Sequence, residues 1–187
     1  MMKRMICLLM ALLLGCAPFA LAEEAEFEFY AVQPVLDSIM RAGGEGASGY
    51  DPANPEYVWV VLYLCGVNFG LEYEDVVMDD DTGMFGLSNE LVWAFAACAF
   101  PGMAELPEGA EMYGMEFDIE NNQWLMPGSD MGDSYTELGA VEFMEDGRMR
   151  VTVNMMDYEQ TLLDSTSFVL VPAEEGAMFP YGVESVE

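Results

Sequence analysis

The hydrophobic pattern changes its period partway along this chain, and the change restricts the folds that the chain can adopt. Two apolar segments of helical length, 55–69 and 89–100, lie before the loop at 106–109. After that loop, apolar and polar residues alternate, most regularly over 148–155. Such alternation is typical of strands with one buried face. Helices followed by strands predict an α+β fold, with two or three N-terminal helices packed on one face of a four- to five-stranded antiparallel sheet.

Capping residues define the ends of both predicted helices. Asn54 is a suitable N-cap for the first helix, and Gly70 is placed to end it. Ser88 caps the second helix, which the Pro-Gly pair at 101–102 ends. The first segment is apolar almost all round, so we expect it to be buried on most sides. The segment between the helices, 71–87, is expected to be an acidic connection.

Turn residues divide the alternating region into strands. A short hairpin is predicted over 115–126, with its turn at 121–122. Further strands are expected at 166–171 and 179–186, separated by a loop that contains proline and glycine.

The register of the most regular hairpin follows from the polarity of its side chains. A three-residue loop at 145–147 places Phe143 opposite Met149. In this register apolar residues face apolar residues and charged residues face charged residues. The other predicted pairs are Val141 with Val151 and Glu142 with Arg150. Gly147 is expected in the left-handed conformation that closes such a loop. The predicted core face consists of Val141, Phe143, Met149, Val151 and Val153.

This order of elements resembles the cystatin-like and NTF2-like architectures. The resemblance is an analogy of topology, because no sequence motif accompanies it. It therefore implies a way of packing helices on a sheet and carries no function with it.

The first 22 residues have the features of a secretory signal peptide. A basic start and an apolar run over 5–14 precede a small-x-small cleavage site that ends at Ala22, before Glu23. The four residues that end in Cys16 also resemble the lipobox of bacterial lipoproteins, in which this cysteine is lipidated. We expect the protein outside the cytoplasm, freely secreted or, as the alternative, anchored to the membrane by lipid.

The rest of the chain is expected to contain one domain. Residues 23–50 are interpreted as an N-terminal segment that ends in a flexible glycine-rich linker, and 51–187 as a single α+β domain. Its apolar helical segments are too short to span a bilayer, so we expect no transmembrane span after cleavage.

The charge of the chain limits its partners. Thirty-four acidic residues against five basic ones give a formal net charge of −29. Binding to nucleic acid needs clustered lysine and arginine, so nucleic acid is excluded as a partner. A cationic or multivalent-cation partner is consistent with this charge.

The chain has no histidine, and this absence removes several classes of enzyme together. Triads that contain histidine and imidazole metal sites are impossible. Chemistry by carboxylates remains, as in a glycosidase, which needs two convergent carboxyl groups. With so many acidic residues, the sequence nominates no catalytic pair.

An acidic segment offers the best candidate for a metal site. Asp79, Asp81 and Glu90 stand at relative positions 1, 3 and 12, the spacing of calcium ligands in an EF-hand loop. Met84 occupies the position that requires glycine, so we expect looser calcium binding instead of an EF-hand. The alternative is an acidic turn that faces water.

Two cysteines and one tryptophan complete the list of candidates. Cys65 and Cys98 lie on the two predicted helices, where they form either a disulfide or a pair of buried thiols. Trp124 lies in the short hairpin, where an exposed aromatic side chain would be a binding anchor.

These observations favour an exported, small, acidic and non-catalytic module that acts by binding or as a component of the cell envelope, without a cofactor. A carboxylate-dependent hydrolase such as a glycosidase is the first alternative. An extracellular calcium-binding protein is the second.

The cleavage site generates a direct prediction. The exported protein should begin at Glu23, because the small residue at Ala22 fits the specificity of signal peptidases. N-terminal sequencing and intact mass of protein collected from the medium check it. A chain that begins at a lipidated Cys16 and stays with the envelope would show that the lipobox is used instead.

Overall fold

The computed structural model describes residues 30–43, 49–74, 76, 78–129 and 132–187. The predicted signal segment, with Cys16, Ala22 and Glu23, and most of the predicted linker lie outside the described residues. The chain divides into two units, Met1–Ala31 and Val32–Glu187. All described residues but two belong to the second unit, and the structure below is the structure of that unit.

Three α-helices and two antiparallel sheets make up the described part of the chain. The helices are α1 (30–43), α2 (Pro55–Tyr73) and α3 (Asn89–Ala99), with short 3-10 helices at Ala110–Tyr113 and Glu145–Gly147. The strands are β1 (Met84–Ser88), β2 (Glu116–Asp118), β3 (Gln123–Pro127), β4 (Ser134–Phe143), β5 (Met149–Asp157), β6 (Leu162–Pro172) and β7 (Tyr181–Val186). Within this described part, no helix combines the length and hydropathy needed to cross a bilayer.

The α+β class is confirmed, and the strands form two sheets where one was expected. The larger sheet has the order β4-β5-β6-β7, which fits the expected four strands. The hairpin of β2 and β3 belongs to a separate three-stranded sheet of order β1-β3-β2. Strand β1 lies in the segment expected to be an acidic connection, and that expectation was wrong for 84–88. Its five residues show no polar alternation, and their hydrogen-bonding partner, β3, is remote in sequence.

Helix α2 begins as the sequence predicts and ends later. The side chain of Asn54 accepts a hydrogen bond from the backbone N–H of Glu56, at 3.0 Å. Gly70 does not end the helix, which continues to Tyr73. A Cβ atom at Gly70 would lie 2.8 Å from the Leu87 side chain, so a larger residue there would have to displace that side chain of β1.

Helix α3 also follows its capping signals. The Oγ of Ser88 accepts a hydrogen bond from the backbone N–H of Leu91, at 3.1 Å. The helix ends at Ala99, one residue before the predicted end, and Phe100 is its C-cap.

Helix α1 lies in the segment that the sequence analysis assigns to an N-terminal extension. Its apolar residues are buried at helical spacing: Val32, Val35, Leu36, Ile39, Met40 and Ala42. Residues from Val32 onward therefore belong to the same compact unit as the rest of the described chain. Side chains of α1 reach β4, where the amide nitrogen of Gln33 donates to the Thr136 carbonyl oxygen at 2.9 Å.

The register of the β4–β5 hairpin is confirmed. Phe143 pairs with Met149, Glu142 with Arg150 and Val141 with Val151. The Met144 N–H donates to the Arg148 carbonyl oxygen at 2.9 Å and closes the three-residue loop. Gly147 has a φ of 82°, as its left-handed position requires, and Asp146 adopts a positive φ as well.

The predicted core face of this hairpin is correct on β5 and wrong on β4. Met149, Val151 and Val153 are buried, whereas Val141 is half-buried and Phe143 is 60% exposed. Strand β4 is an edge strand, and α1 is hydrogen-bonded to it at Ser134 and Thr136. Phe143 lies at the opposite end of the strand. The alternation of apolar and polar residues continues to that end, but α1 does not cover Phe143.

The two faces of β5 predict losses of stability of different size when a charge is introduced. Val151→Asp should lower the free energy of unfolding by roughly 4 kcal/mol or more, because it buries an unpaired carboxylate. Thr152→Asp should lower it by about 1 kcal/mol, since Thr152 lies on the half-buried face and loses one hydroxyl contact to Ser167. Urea unfolding of both variants measures the difference. Equal losses would contradict the assignment of the two faces.

Candidate functional site

A cavity of about 840 Å³ lies between the helices and the four-stranded sheet. One wall comes from α1 and α2, and the other from the ends of β5, β6 and β7. Tyr113, from the 3-10 helix at Ala110–Tyr113, and Tyr50, which precedes α2, also line the cavity. The cavity is therefore built from segments that are far apart in sequence.

Helix α2 supplies a continuous stripe of the lining. The stripe consists of Val60, Tyr63, Leu64, Val67 and Asn68. Spacings of three and four residues place these side chains on one face of the helix. Other side chains of α2 face protein: the indole nitrogen of Trp59 donates to the Pro107 carbonyl oxygen at 2.9 Å, and Cys65 is fully buried. An all-round apolar helix thus has both a core side and a cavity side.

Helix α1 brings a buried ion pair to the edge of the cavity. Arg41 binds both carboxylate oxygens of Asp37, with Nη2 at 3.1 Å from Oδ1 and Nε at 2.6 Å from Oδ2. Its guanidinium also donates to the hydroxyl and the carbonyl oxygen of Ser134, at 2.9 and 2.8 Å. Asp37 is almost fully buried. The positive charge of Arg41 is therefore balanced within the wall, and it ties α1 to β4.

Four tyrosines line the cavity: Tyr50, Tyr57, Tyr63 and Tyr113. The rings of Tyr63 and Tyr113 are stacked, with centroids 5.9 Å apart and planes at 24°. The hydroxyl of Tyr50 donates to the Ala99 carbonyl oxygen at 2.7 Å, and burial raises its pKa. Burial, with a smaller effect of Asp51, raises the pKa of Tyr57 to about 12. Tyr57 is 2% exposed as a whole residue, and no side-chain N or O atom in the described part of the chain is both buried and without a hydrogen-bond partner.

The sheet contributes both apolar and polar groups to the cavity. Met155, Leu163 and Thr166 line it together with Asp164. Asp164 is exposed, and one of its oxygens accepts a hydrogen bond from the Ser165 N–H at 2.8 Å. It is the one carboxylate among the described residues that line this cavity.

The calcium candidates do not come together as a site. Oδ1 of Asp79 accepts hydrogen bonds from the backbone N–H groups of Thr82 and Asp81, which lower the pKa of Asp79. Glu90 instead lies in the first turn of α3. Across the described residues, no group of three or more acidic, cysteine or histidine side chains is arranged to hold a metal. Calcium binding by the loop stays a prediction.

Asp79 lines a second cavity, of about 920 Å³, against the three-stranded sheet. Glu74 and Glu116 line it as well. The carboxylate of Glu74 accepts a hydrogen bond from the Ser88 N–H at 2.9 Å, so it holds the end of α2 to β1. This cavity therefore has acidic side chains from three different segments in its lining.

The two cysteines are buried free thiols in the structure. Burial raises the pKa of Cys65 to about 12 and that of Cys98 well above its usual value. Cys65 makes a smaller contribution to the raised pKa of Cys98, after burial.

Trp124 is half-buried, and a binding role for it stays a prediction. Its ring lies between Trp59 and Phe117, with centroid distances of 4.9 and 5.0 Å. Its indole nitrogen donates to Oδ1 of Asn89 at 3.0 Å. Trp124 therefore joins the hairpin to α2 and α3, and the most exposed apolar side chain nearby is Ile119, at 83%.

The sequence analysis missed the residues that line the first cavity. A tyrosine or valine that faces a cavity has the same sequence pattern as one that faces the core. The available signal was the all-round apolarity of α2, which indicates burial on most sides without saying what fills each side. No protein-family model, curated protein or solved structure matches this chain.

Thiol chemistry tests the description of the cysteines. Both should react slowly with a thiol reagent in the native protein and rapidly in guanidinium chloride, because burial holds them protonated and shielded. Unfolded thiols ionise near pH 9, whereas the folded ones stay neutral, so the free energy of unfolding should fall as the pH rises above about 9. In a chain that begins at Glu23, two reactive thiols are expected after unfolding, and none would mean that Cys65 and Cys98 are bonded to each other.

Proposed function

We propose that the chain is an exported, non-catalytic binding module, and that its ligand occupies the cavity between α1, α2 and the four-stranded sheet. The observation that carries the proposal is the cavity itself, of about 840 Å³. Sites for small molecules typically have volumes of about 300–1,000 Å³. The proposal places the protein outside the cytoplasm, free or lipid-anchored, since it keeps the expected signal segment.

The chemistry of the lining supports binding. Tyrosine rings and aliphatic side chains form most of the walls, and a few polar groups are distributed among them. This combination is typical of binding sites, where apolar area supplies affinity and isolated polar groups fix the orientation of a ligand. Tyr57 and Asn68 are polar groups of this kind on α2.

The carboxylate-dependent hydrolase is the alternative that fits less well. A glycosidase needs two carboxyl groups roughly 5–10 Å apart, one of them with a raised pKa. Asp164 is alone among the described lining of the first cavity. In the second cavity Glu74 is hydrogen-bonded to the backbone, and the pKa of Asp79 is lowered, which is opposite to the need of a general acid.

A neutral fluorescent probe, N-phenyl-1-naphthylamine, tests the site. It should bind to the protein and increase in fluorescence, because it is apolar and uncharged. Leu64→Trp should weaken binding by roughly tenfold or more, since the larger ring fills the cavity and each 1.4 kcal/mol corresponds to a factor of about ten. Thermal melting confirms that the variant is folded.

Leu162→Trp is the matched control. Leu162 is 55% exposed and is not part of the cavity lining, so the same substitution there should leave probe binding unchanged. Equal losses in the two variants would contradict the proposal.

A further inference from the structure

The charges of the cavity are not balanced. Arg41 is neutralised by Asp37 within the wall, through two hydrogen bonds to its carboxylate. Asp164 has no ion-pair partner among the described residues. Among the described lining residues the unmatched charge is therefore negative, and it belongs to a cavity with apolar and aromatic walls.

From this arrangement we infer that the ligand is a small organic cation, a protonated amine with an apolar body. The inference rests on the proposed function and names the class of molecule that the same cavity takes. Asp164 supplies the counter-charge at the edge, and the stripe on α2 receives the apolar body.

The tyrosine rings add to the preference for a cation. Their faces carry partial negative charge, and an ammonium group within about 6 Å of a ring centroid is attracted to it. The stacked pair of Tyr63 and Tyr113 brings two rings to the cavity. Aromatic walls with one carboxylate are a common way to bind alkylammonium groups, because they replace water around the cation without a full ion pair.

A tyrosine hydroxyl at the cavity offers the amine a hydrogen bond. Tyr57 lines the cavity, and within the described part of the chain no buried side-chain oxygen lacks a hydrogen-bond partner, so its hydroxyl is not an unsatisfied buried group. The tyrosine oxygen accepts a hydrogen bond from an ammonium N–H, which an amine provides.

The charge of the whole chain acts in the same direction. A formal net charge of −29 creates a negative potential that concentrates cations and repels anions. The one guanidinium that lines the cavity is already engaged by Asp37 and Ser134. An anionic ligand would therefore meet repulsion at long range and no uncommitted cation within the described lining.

Three probes of similar size and different charge test the inference by calorimetric titration at neutral pH. These probes are benzylamine, benzyl alcohol and benzoate, which carry a positive charge, no charge and a negative charge. Benzylamine should bind roughly tenfold more tightly than benzyl alcohol, and benzoate should not bind. Asp164→Asn should weaken benzylamine binding about three- to fivefold and leave benzyl alcohol binding unchanged.

Asp80→Asn is the control for net charge. Asp80 is exposed and lies outside the cavity lining, so its substitution removes the same charge at a distance. Equal effects of the two variants on benzylamine would overturn the role of Asp164. Binding of the alcohol or benzoate as tight as that of the amine would overturn the inference.

The two proposals fail in distinguishable ways. If the neutral fluorescent probe binds and benzylamine shows no preference, the cavity is a binding site with a different ligand class, and only the inference fails. If neither the fluorescent probe nor any of the three titrated probes binds, the proposed function fails with it.

Discussion

The burial of α2 is the constraint on which the rest of this structure depends. The helix is apolar on every side, so each of its faces must be covered by another element. Helix α3 and the three-stranded sheet cover one side, where Gly66 and Gly70 let Leu87 and Met126 approach closely. Helix α1 reaches it as well, where Sγ of Cys65 lies 4.0 Å from the Pro34 carbonyl oxygen. The remaining face lines the cavity. The apolar surface of α2 therefore accounts both for the packing of its neighbours and for the wall of the candidate site.

Polar interactions fix the position of α1, one of the elements that pack around α2. The ion pair of Arg41 with Asp37 is buried, and its hydrogen bonds to Ser134 tie α1 to the edge strand β4. A buried charge is unfavourable without such partners. The ion pair therefore contributes mainly by fixing the position of α1 against β4, and little to the net stability. Gln33 bonds Thr136 further along the same strand. Together these contacts occupy backbone carbonyl groups at one end of β4, where an open edge would otherwise be available to another chain.

The acidic surface and the apolar interior have separate roles in this molecule. The interior has enough apolar residues to form a packed core despite a net charge of −29. At the surface, Arg148 forms ion pairs with Asp146 and Glu184. Arg150 forms ion pairs with Glu142 and Glu187. Exposed pairs contribute little to stability, so the long-range effect of the charge is on which partners approach. The proposed preference for a cation in the cavity agrees with that long-range field.

The sequence by itself determined the local features: the N-caps at Asn54 and Ser88, the change from helical to alternating periodicity, and the register of the β4–β5 hairpin. Capping, alternation and turn conformation act between residues that are close along the chain, so their signals are complete within a short window. Only the tertiary structure decided that 84–88 form a strand, that Gly70 admits Leu87 and that Phe143 is exposed. It also decided that Tyr57 and Asp164 line one cavity. Each of these outcomes depends on a segment distant in sequence, and an apolar side chain carries no local mark that tells whether core, cavity or solvent will face it.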